Sequence, residues 1–273
     1  MRAEIQIRPA TPADREAHER LFPELGVPAS PLDPAVYRSS ILPGTVVAEA
    51  EGRVVGLVWA RPRGARLHVV HLITDPAHRR RGLARALMGA AADRARAAGL
   101  RQWMLTVKPE NEAARALYAS LGFRETHRSA LVVLPWAAVG ALPAPRAELV
   151  VGPLSAGPGP VANLGFVEGE IEAMAAWPGR VMLGAWAAGA WVGLAAFDPG
   201  WPGCGTCRVS EIGALRALLA GAAAHAPDAT GAISALAESP EVEAVLVAAG
   251  GVVEMRTVHL VGEVPAGAGA NAG

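Results

Sequence analysis

Three consecutive arginines run directly into a glycine in the first half of the chain. The stretch HRRRGLA occupies residues 78–84, and an alanine-rich segment with helical periodicity follows it. A turn that enters a helix offers unpaired backbone N–H groups and the positive end of the helix dipole, and nearby arginines add charge. Gly82 and the small Ala84 let the backbone approach a ligand closely. The stretch therefore predicts a loop that binds a phosphate-rich ligand.

Other phosphate-binding patterns are absent from this loop. It contains neither the GxxxxGK[ST] sequence of a P-loop nor the GxGxxG sequence of a dinucleotide-binding turn. A solvated patch of surface charge is the alternative interpretation of the arginines. The glycine and the helix that follow them favour the ligand-binding interpretation.

The two cysteines are a weaker candidate for chemistry. Cys204 and Cys207 form the sequence CGTC in a segment rich in Pro and Gly, which we expect to be a loop. One CxxC supplies only half of a tetrahedral zinc site, and a thioredoxin-like role would need the motif at the start of a helix. We expect no metal cofactor and no disulfide framework.

Composition narrows the class of protein. Of the 273 residues, 52% are hydrophobic and 18% charged, and 25 Lys and Arg balance 25 Asp and Glu. The absence of a basic field argues against nucleic-acid binding. The segment VMLGAWAAGAWVGLAAF at 181–197 is uncharged but short for a membrane span, and it contains three glycines. The N-terminal residues do not resemble a signal peptide, so we expect a soluble cytoplasmic protein without a membrane partner.

The elements before the arginine loop follow from hydrophobic periodicity and turn residues. EIQIRPA alternates like a strand, and TPADREAHERLF begins a helix with Thr11 as the cap. TVVAEAEGRVVGLVWARP is a hairpin about Glu51-Gly52. RLHVVHLIT is a third apolar strand, and it ends just before the arginines.

The elements after the loop complete an α/β pattern. GLARALMGAAADRARAAG is a helix that stops at Gly99, with an apolar face of Leu83, Leu87, Met88, Ala91, Ala95 and Ala98. QWMLTV is a strand, NEAARALYASLG is a helix from Asn111 as N-cap to Gly122, and FRETHRSALVVL is a further strand. This order predicts an α+β mixed sheet with helices on both faces.

The second half of the chain repeats the first. Three similar blocks occur in the same order, beginning at residues 2, 48 and 114 and again at 146, 185 and 242. The separation between matching blocks falls from 144 residues for the first pair to 128 for the last, so the second half is shorter. Most of the missing residues lie where the second half would carry the arginine loop. We interpret this as a tandem duplication, in which 181–197 is a buried hairpin turning near Ala188-Gly189. Chance similarity in a chain rich in Ala, Gly and Val is the alternative.

The repeat defines the expected domains. Residues 1–134 form the first domain, 135–145 a linker, 146–264 a degenerate second domain, and 265–273 a disordered tail. In the second domain Ser239 stands in the place of Asn111, Leu246 in the place of Tyr118 and Gly251 in the place of Phe123. We therefore expect the second domain to lack a phosphate site.

These residues resemble the GNAT N-acetyltransferase superfamily. Its signature Q/R-x-x-G-x-G/A is matched by Arg79, Arg80, Arg81, Gly82, Leu83 and Ala84, after TDPAHR in place of V-x-P-x-x-R. A second family motif, N-x-x-A-x-x-L-Y-x-x-x-G-F, is matched by Asn111, Ala114, Leu117, Tyr118, Gly122 and Phe123. The resemblance covers residues 1–134 well and the rest only as a degraded copy.

The resemblance implies a cofactor site for acetyl-CoA as the co-substrate. The loop 79–84 would bind the pyrophosphate through its N–H groups. Leu72, Ile73 and Thr74 would pair with the pantetheine and direct an N–H at the acetyl carbonyl. Asn111 would contact the pantetheine or order its helix, and Tyr118 would protonate the leaving thiolate as the general acid.

The resemblance leaves the general base open. His68 and His71 lie in the strand beside the implied site, three residues apart, so we expect them to face opposite sides of that strand. Glu49 and Asp75 are alternatives, and many family members work through water without a dedicated base. We assign none.

The resulting hypothesis is an N-acetyltransferase with an active first domain. It would move the acetyl group of acetyl-CoA to a primary amine by direct attack of the neutral amine. The amine belongs to a small molecule or a peptide, and the sequence selects neither. The alternative is a non-catalytic acyl-CoA-binding or sensor protein. A homodimer is compatible with the sequence, which does not fix the oligomeric state.

Overall fold

The chain folds into two units whose borders differ from the borders of the sequence repeat. The computed structural model describes residues 5–27, 32–154, 164–201 and 203–266. The described residues within Met1–Thr106, Ala113–Arg124 and Leu260–Gly273 form the first unit, and those within Val107–Glu112 and Glu125–His259 form the second. That residues 1–134 and 146–264 act as separate functional domains stays a prediction.

Five consecutive strands build the first unit. They are β1 (Ile5–Pro9), β2 (Thr45–Ala50), β3 (Arg53–Arg63), β4 (Arg66–Thr74) and β5 (Gln102–Val107). Antiparallel pairs join β1 to β2, β2 to β3 and β3 to β4, whereas β4 and β5 are parallel. Parallel neighbours need a crossover connection, and a helix between β4 and β5 supplies it. The mixed sheet expected from the sequence is confirmed.

Four helices belong to the same part of the chain. They are α1 (Arg15–Leu21), α2 (Pro34–Val36), α3 (Leu83–Ala97) and α4 (Glu112–Ser120). A 3-10 turn at Pro12–Asp14 precedes α1, and a π-helical turn at Tyr37–Ile41 extends α2. Helix α3 ends before Gly99 and α4 before Gly122, both with positive φ as the predicted stop signals require.

The apolar face of α3 packs as predicted over all but its last residue. Leu83, Leu87 and Met88 are among its buried side chains, together with Ala91, Ala92 and Ala95. Ala98 is exposed, because the helix ends at Ala97 and the chain turns away one residue too early to bury it. A Cβ on Gly56 would lie 3.0 Å from the Ile73 carbonyl oxygen and 3.1 Å from the Leu83 side chain, so glycine lets α3 lie close against β3.

The second unit repeats this succession of elements. The strands that follow the first copy along the chain are β7 (Val150–Pro153), β8 (Val181–Ala187), β9 (Ala190–Asp198), β10 (Gly203–Val209), β11 (Ala232–Ala237) and β12 (Val252–Glu263). Its helices are α5 (Glu170–Ala175), α6 (Ile212–Ala223) and α7 (Pro240–Ala248). The run β7-β8-β9-β10-β11 has the same neighbours as β1-β2-β3-β4-β5, and β10 and β11 are again parallel.

The uncharged segment 181–197 is a hairpin, as the repeat predicts. Strands β8 and β9 pair in register from Val181 with Phe197 to Ala187 with Ala190. The turn between them has φ of 49° at Ala188 and 79° at Gly189, the left-handed values that a tight hairpin needs. Among the described residues, no helix is both long and apolar enough to cross a membrane.

The connection that differs between the two copies is the one that carries the arginines. Strand β4 ends at Thr74 and α3 begins at Leu83, which leaves eight connecting residues, 75–82. Strand β10 ends at Val209 and α6 begins at Ile212, which leaves two, 210 and 211. The second copy therefore keeps the strand and the helix and has only a short turn between them.

The last strand of the first copy lies in the second unit. This strand, β6 (Arg124–Pro135), pairs antiparallel with β11, from Ala130 with Ala237 to Pro135 with Ala232. The last residues of β12, from Leu260 onward, belong to the first unit, where the Val264 N–H donates to the Arg101 carbonyl oxygen at 2.8 Å. Most of β6 thus belongs to the second unit, and the end of β12 belongs to the first.

The segment expected to be a linker is part of the second unit's core. Residues Trp136–Ala141 form a 3-10 helix directly after β6, and Trp136, Val139 and Leu142 are buried in that core. Of the expected tail 265–273, Pro265 accepts a hydrogen bond from Arg96 at 2.7 Å. Residues 267–273 lie outside the described part of the chain.

Candidate functional site

The arginine loop forms a tight exposed turn between β4 and α3. Residues 79–82 are all exposed, and Arg80 and Gly82 have φ of 60° and 79°. A Cβ placed on Gly82 would meet nothing within 4 Å, so its left-handed backbone is what favours glycine there. Arg80 adopts a similar conformation at a cost of order 1 kcal/mol, because β-carbons disfavour it.

The first turn of α3 faces this loop with unsatisfied donors. The first hydrogen bond of the helix runs from the Ala86 N–H to the Gly82 carbonyl oxygen at 3.0 Å. The N–H groups of Leu83, Ala84 and Arg85 precede that bond and have no acceptor within the helix. Together with the helix dipole they make the loop favourable for an anion.

The three arginines of the loop differ in what they contact. Arg79 donates through Nε to the Thr74 carbonyl oxygen at 3.3 Å and pairs with Glu24 at 2.5 Å. It therefore ties the loop to the end of β4 and to the segment after α1. Arg80 and Arg81 extend from exposed positions of the turn. Their charges lie beside the first turn of α3.

The end of β4 offers a backbone edge. Leu72, Ile73 and Thr74 pair with Val58, Leu57 and Gly56 of β3. On the other side, β4 pairs with β5 only over Arg66–His68, with Gln102–Met104. The structure describes every residue of β4. The edge of Leu72–Thr74 that faces away from β3 therefore lies beyond the residues that pair with β5. An extended ligand can add hydrogen bonds to this edge.

Tyr118 lies on the buried side of α4. It is 7% exposed, and its ring meets Phe123 edge-on, with centroids 5.7 Å apart. Burial raises the pKa of Tyr118 to about 12, because the phenolate would lose its hydration. The hydroxyl is therefore protonated at neutral pH and can donate a hydrogen bond.

Asn111 directly precedes α4. Its N–H donates to the Lys108 carbonyl oxygen at 3.1 Å, which shapes the turn between β5 and the helix. Its roles as helix cap and as cofactor contact stay predictions.

The two histidines of β4 lie on one face, which corrects the sequence expectation. His71 pairs with Trp59, but Val69 pairs with Ala60, so β4 carries one extra residue between them. This bulge shifts the alternation of side chains by one position. His68, opposite Arg61, and His71, opposite Trp59, therefore share a face although they are three residues apart.

His71, which is half-buried, pairs with a buried histidine that sequence reasoning missed. His18 Nε2 of α1 lies 3.0 Å from His71 Nδ1, and His18 is fully buried. Burial lowers the pKa of His18 to about 4. Burial, together with the charge that His18 would carry, lowers the pKa of His71 to about 3. Both imidazoles are therefore neutral at physiological pH. The available signal was a histidine between Ala17 and Leu21 on the apolar face of the predicted helix.

The carboxylates considered as bases are engaged elsewhere. Glu49 accepts from Arg8 at 2.8 Å, which holds it beside β1. Asp75 caps the turn after β4 by accepting from the Ala77 N–H at 3.0 Å. Although burial alone would raise the pKa of Asp75, the Ala77 N–H and nearby cationic groups lower it, so Asp75 is a weak base.

The cysteines lie in a strand and not in the loop that their neighbours suggested. Cys204 and Cys207 are part of β10, and both side chains are buried in the core of the second unit. Burial raises the pKa of both thiols, to about 12 for Cys207. Thiols of this kind pack as small apolar groups and react poorly.

The second unit has different residues at the matching positions. The Ser239 hydroxyl caps α7 by accepting from the Val242 N–H at 3.2 Å. Leu246, which stands in the place of Tyr118, is fully buried and carries no proton donor. Neither the arginines nor the eight-residue connection is present between β10 and α6.

Comparison with known proteins finds relatives of the first half of the chain. Residues 14–123 match the model of the Acetyltransferase (GNAT) family. Human N-acetyltransferase 8 is 40% identical over 102 residues, which cover 35% of this chain and 44% of that protein. A mycothiol acetyltransferase of Clavibacter michiganensis is 38% identical over 77 residues, covering 28% of this chain and 25% of that protein. This chain therefore spans less than half the length of either relative.

Solved structures match over nearly the whole chain. A tandem GNAT protein from the clavulanic acid biosynthesis pathway superposes with a TM-score of 0.64 at 22% identity, over 97% of this chain and all of the other. A putative acetyltransferase of Pyrococcus horikoshii gives a TM-score of 0.68 at 14% identity, over 94% and 88% of the two chains. These similarities concern the fold, and they confirm the tandem arrangement expected from the repeat.

Proposed function

The chain carries a domain of the GNAT acetyltransferase family, and on this premise we propose that it transfers the acetyl group of acetyl-CoA to a primary amine. The first unit carries the activity. The main support is the arginine loop at the start of α3, which follows the end of β4 where that strand has left its partner β5. The second copy keeps the fold and lacks this loop.

The cofactor lies along the end of β4 and the start of α3. The N–H groups of residues 81–84 hold the pyrophosphate, and the exposed Arg80 and Arg81 add charge beside it. The pantetheine adds to the edge of Leu72–Thr74 like a further strand, as an extended peptide adds to a sheet edge. Asn111 contacts the pantetheine or orders α4. One N–H of the β4 edge then points at the acetyl carbonyl oxygen and stabilises the oxyanion.

The reaction forms one C–N bond and breaks one C–S bond. The lone pair of the neutral amine attacks the acetyl carbon, and the electrons of the C–S bond leave on sulfur. Tyr118 donates its proton to that sulfur, and the proton that the new amide nitrogen loses returns to the tyrosine. A buried Tyr118 with a pKa of about 12 is a weaker acid than a thiol, whose ordinary pKa is about 8.5, so its hydrogen bond to the developing thiolate matters more than early proton transfer.

The amine reaches its neutral form through solvent. His71 and His18 bond to each other, and with pKa values of about 3 and 4 they take up protons poorly at neutral pH. An amine with an ordinary pKa near that of lysine, about 10.4, is mostly protonated at pH 7. The rate should therefore rise with pH until the acceptor amine is deprotonated.

Gly82→Trp should abolish binding of acetyl-CoA. The indole would occupy the open space beside the loop where the pyrophosphate lies, and the side chain would strain a left-handed backbone. Titration calorimetry of the wild-type chain should give one acetyl-CoA per chain, because only the first copy has the loop. The variant should show no heat of binding and no ligand-induced rise in melting temperature.

Gly99→Trp is the matched control for this variant. Gly99 follows the other end of α3, has φ of 71° and has open space around its Cβ position, so the backbone strain is the same. It should keep wild-type binding. Binding of two acetyl-CoA molecules per chain, or equal binding by Gly82→Trp, would contradict the loop assignment.

The catalytic proposal itself is tested by turnover. The full chain is supplied with acetyl-CoA and a panel of amino sugars, polyamines and peptides with free N-termini, and release of free thiol is followed. Amine-dependent thiol release together with the acetylated product by mass spectrometry is the expected result. Tight binding of acetyl-CoA without turnover over the panel would favour the sensor alternative.

A further inference from the structure

Two histidines and a glutamate of the second unit come together outside the acetyl-transfer site. His127 lies on β6, His259 on β12, and Glu238 directly follows β11. One donor atom from each of the three side chains lies within 4.8 Å of the others. The residues are 111 and 21 positions apart in the chain and form no sequence motif, so sequence analysis did not find them.

A hydrogen bond fixes the tautomer of His127. The Thr126 hydroxyl donates its only proton to the His259 carbonyl oxygen at 3.2 Å. The same hydroxyl lies 3.1 Å from His127 Nδ1, and when it donates to His259 it accepts the proton of that nitrogen. In that arrangement a neutral His127 carries its lone pair on Nε2, which lies 3.8 Å from Glu238 Oε1. That separation is too long for a good hydrogen bond and lies within the span of two ligands of one metal ion. The His127 ring stacks on the His259 ring, with centroids 4.0 Å apart and planes 19° apart, so one ring has to turn for both lone pairs to meet the same ion.

His259 is oriented in a similar way. Its Nε2 lies 2.7 Å from the Ser129 hydroxyl, which in turn contacts the Thr257 hydroxyl at 2.8 Å. When Nε2 donates to Ser129, the lone pair of the ring is on Nδ1. Histidines that bind metals commonly donate their other ring nitrogen to such a partner, which fixes the tautomer and the ring orientation.

Glu238 supplies a fixed negative charge. Arg208 donates to its Oε2 through Nε at 2.7 Å and to Oε1 through Nη2 at 3.3 Å, which holds the carboxylate in place.

We propose that His127, Glu238 and His259 form a binding site for a divalent transition metal ion, with Zn²⁺ as the best match. Two imidazole nitrogens and one carboxylate oxygen are a common protein ligand set for zinc, and they leave a fourth position for water or a ligand. The His127 side chain is 38% exposed and gives the ion a path from solvent, while His259 is buried. The alternative is that His127 Nε2 binds a proton and no metal ion, so that His127 is a cation that pairs with Glu238.

Zinc titration of the untagged full-length chain tests this site. The protein is first treated with EDTA and dialysed, then titrated with ZnCl₂ by calorimetry, and the bound metal is counted after gel filtration. We expect one Zn²⁺ per chain. His127→Ala should weaken binding by at least about tenfold, since even the loss of a partner behind a metal ligand costs that much. Because the His127 side chain is only partly buried, the variant should fold normally.

His225→Ala is the matched control, because His225 is exposed, follows α6 and is not one of the three ligands. It should bind Zn²⁺ as the wild type does. Glu238→Gln keeps the shape of the side chain, removes its charge and should also weaken binding, with circular dichroism to check folding. A wild-type chain that takes up no Zn²⁺, or a His127→Ala variant that binds it equally well, would overturn the site.

Discussion

Tyr118→Phe should lower kcat by roughly 10²–10⁴-fold, the usual range for loss of a general acid. The change removes only the hydroxyl and keeps the ring against Phe123. Since the hydroxyl acts on the sulfur only as the C–S bond breaks, the affinity for acetyl-CoA should stay the same. Steady-state kinetics with the best amine of the panel and calorimetric titration with acetyl-CoA measure the two quantities.

Tyr37→Phe is the natural control, because the chain has only two tyrosines and both are buried. The Tyr37 hydroxyl has no hydrogen-bond partner among the described residues, so its removal should cost little stability. We expect near wild-type kcat for this variant. If Tyr118→Phe also retained wild-type kcat, Tyr118 would serve packing alone.

Acidification from pH 8 to pH 5 should lower the free energy of unfolding by about 4 kcal/mol through the buried histidine pair alone. His18 and His71 have pKa values of about 4 and 3 in the folded chain, below the ordinary value of 6.5. Between pH 6.5 and pH 4 the unfolded chain therefore binds more protons than the folded one. Each histidine contributes about 2 kcal/mol at pH 5, and the stability is fully present above pH 7.

The double variant His18→Leu, His71→Leu isolates this effect. Leucine has a similar volume, and removing both partners of a buried hydrogen bond leaves neither one unsatisfied. Urea unfolding at several pH values, followed by circular dichroism, should show a smaller loss of stability in acid for the double variant. The exposed His225→Ala should keep the full loss. Equal acid sensitivity of the double variant and the wild type would show that the pair does not titrate as described.

The features that sequence analysis predicted correctly are set by short-range chemistry. Glu51-Gly52 and Ala188-Gly189 form hairpin turns because those residues accept positive φ between apolar strands. The face of α3 follows from apolar residues three and four positions apart, and Gly99 ends that helix as its conformation allows. Gly82 opens the helix in a left-handed conformation, within six residues that carry the whole loop motif.

Two predictions from the sequence were wrong: the faces of His68 and His71, and the loop around Cys204. A bulge in β4 places His68 and His71 on one face, although simple alternation separates them. The Pro and Gly around Cys204 suggested a loop, yet the segment is a strand inside a core. In both cases the pairing with a neighbouring strand decides the conformation, and the pattern of residues within one strand does not contain that pairing.

The sequence by itself determined the turns and the arginine loop at the start of α3, because each depends on residues close together in the chain. It also determined the tandem fold, because similar blocks recur in the same order in both halves. The tertiary structure alone decided which partners meet across long separations. It joined His18 to His71 over 53 positions, and it placed β6 beside β11 in the second unit. The apolar pattern of β6 predicts a strand but does not name its partner, because an apolar strand can pair with any neighbour that buries the same face.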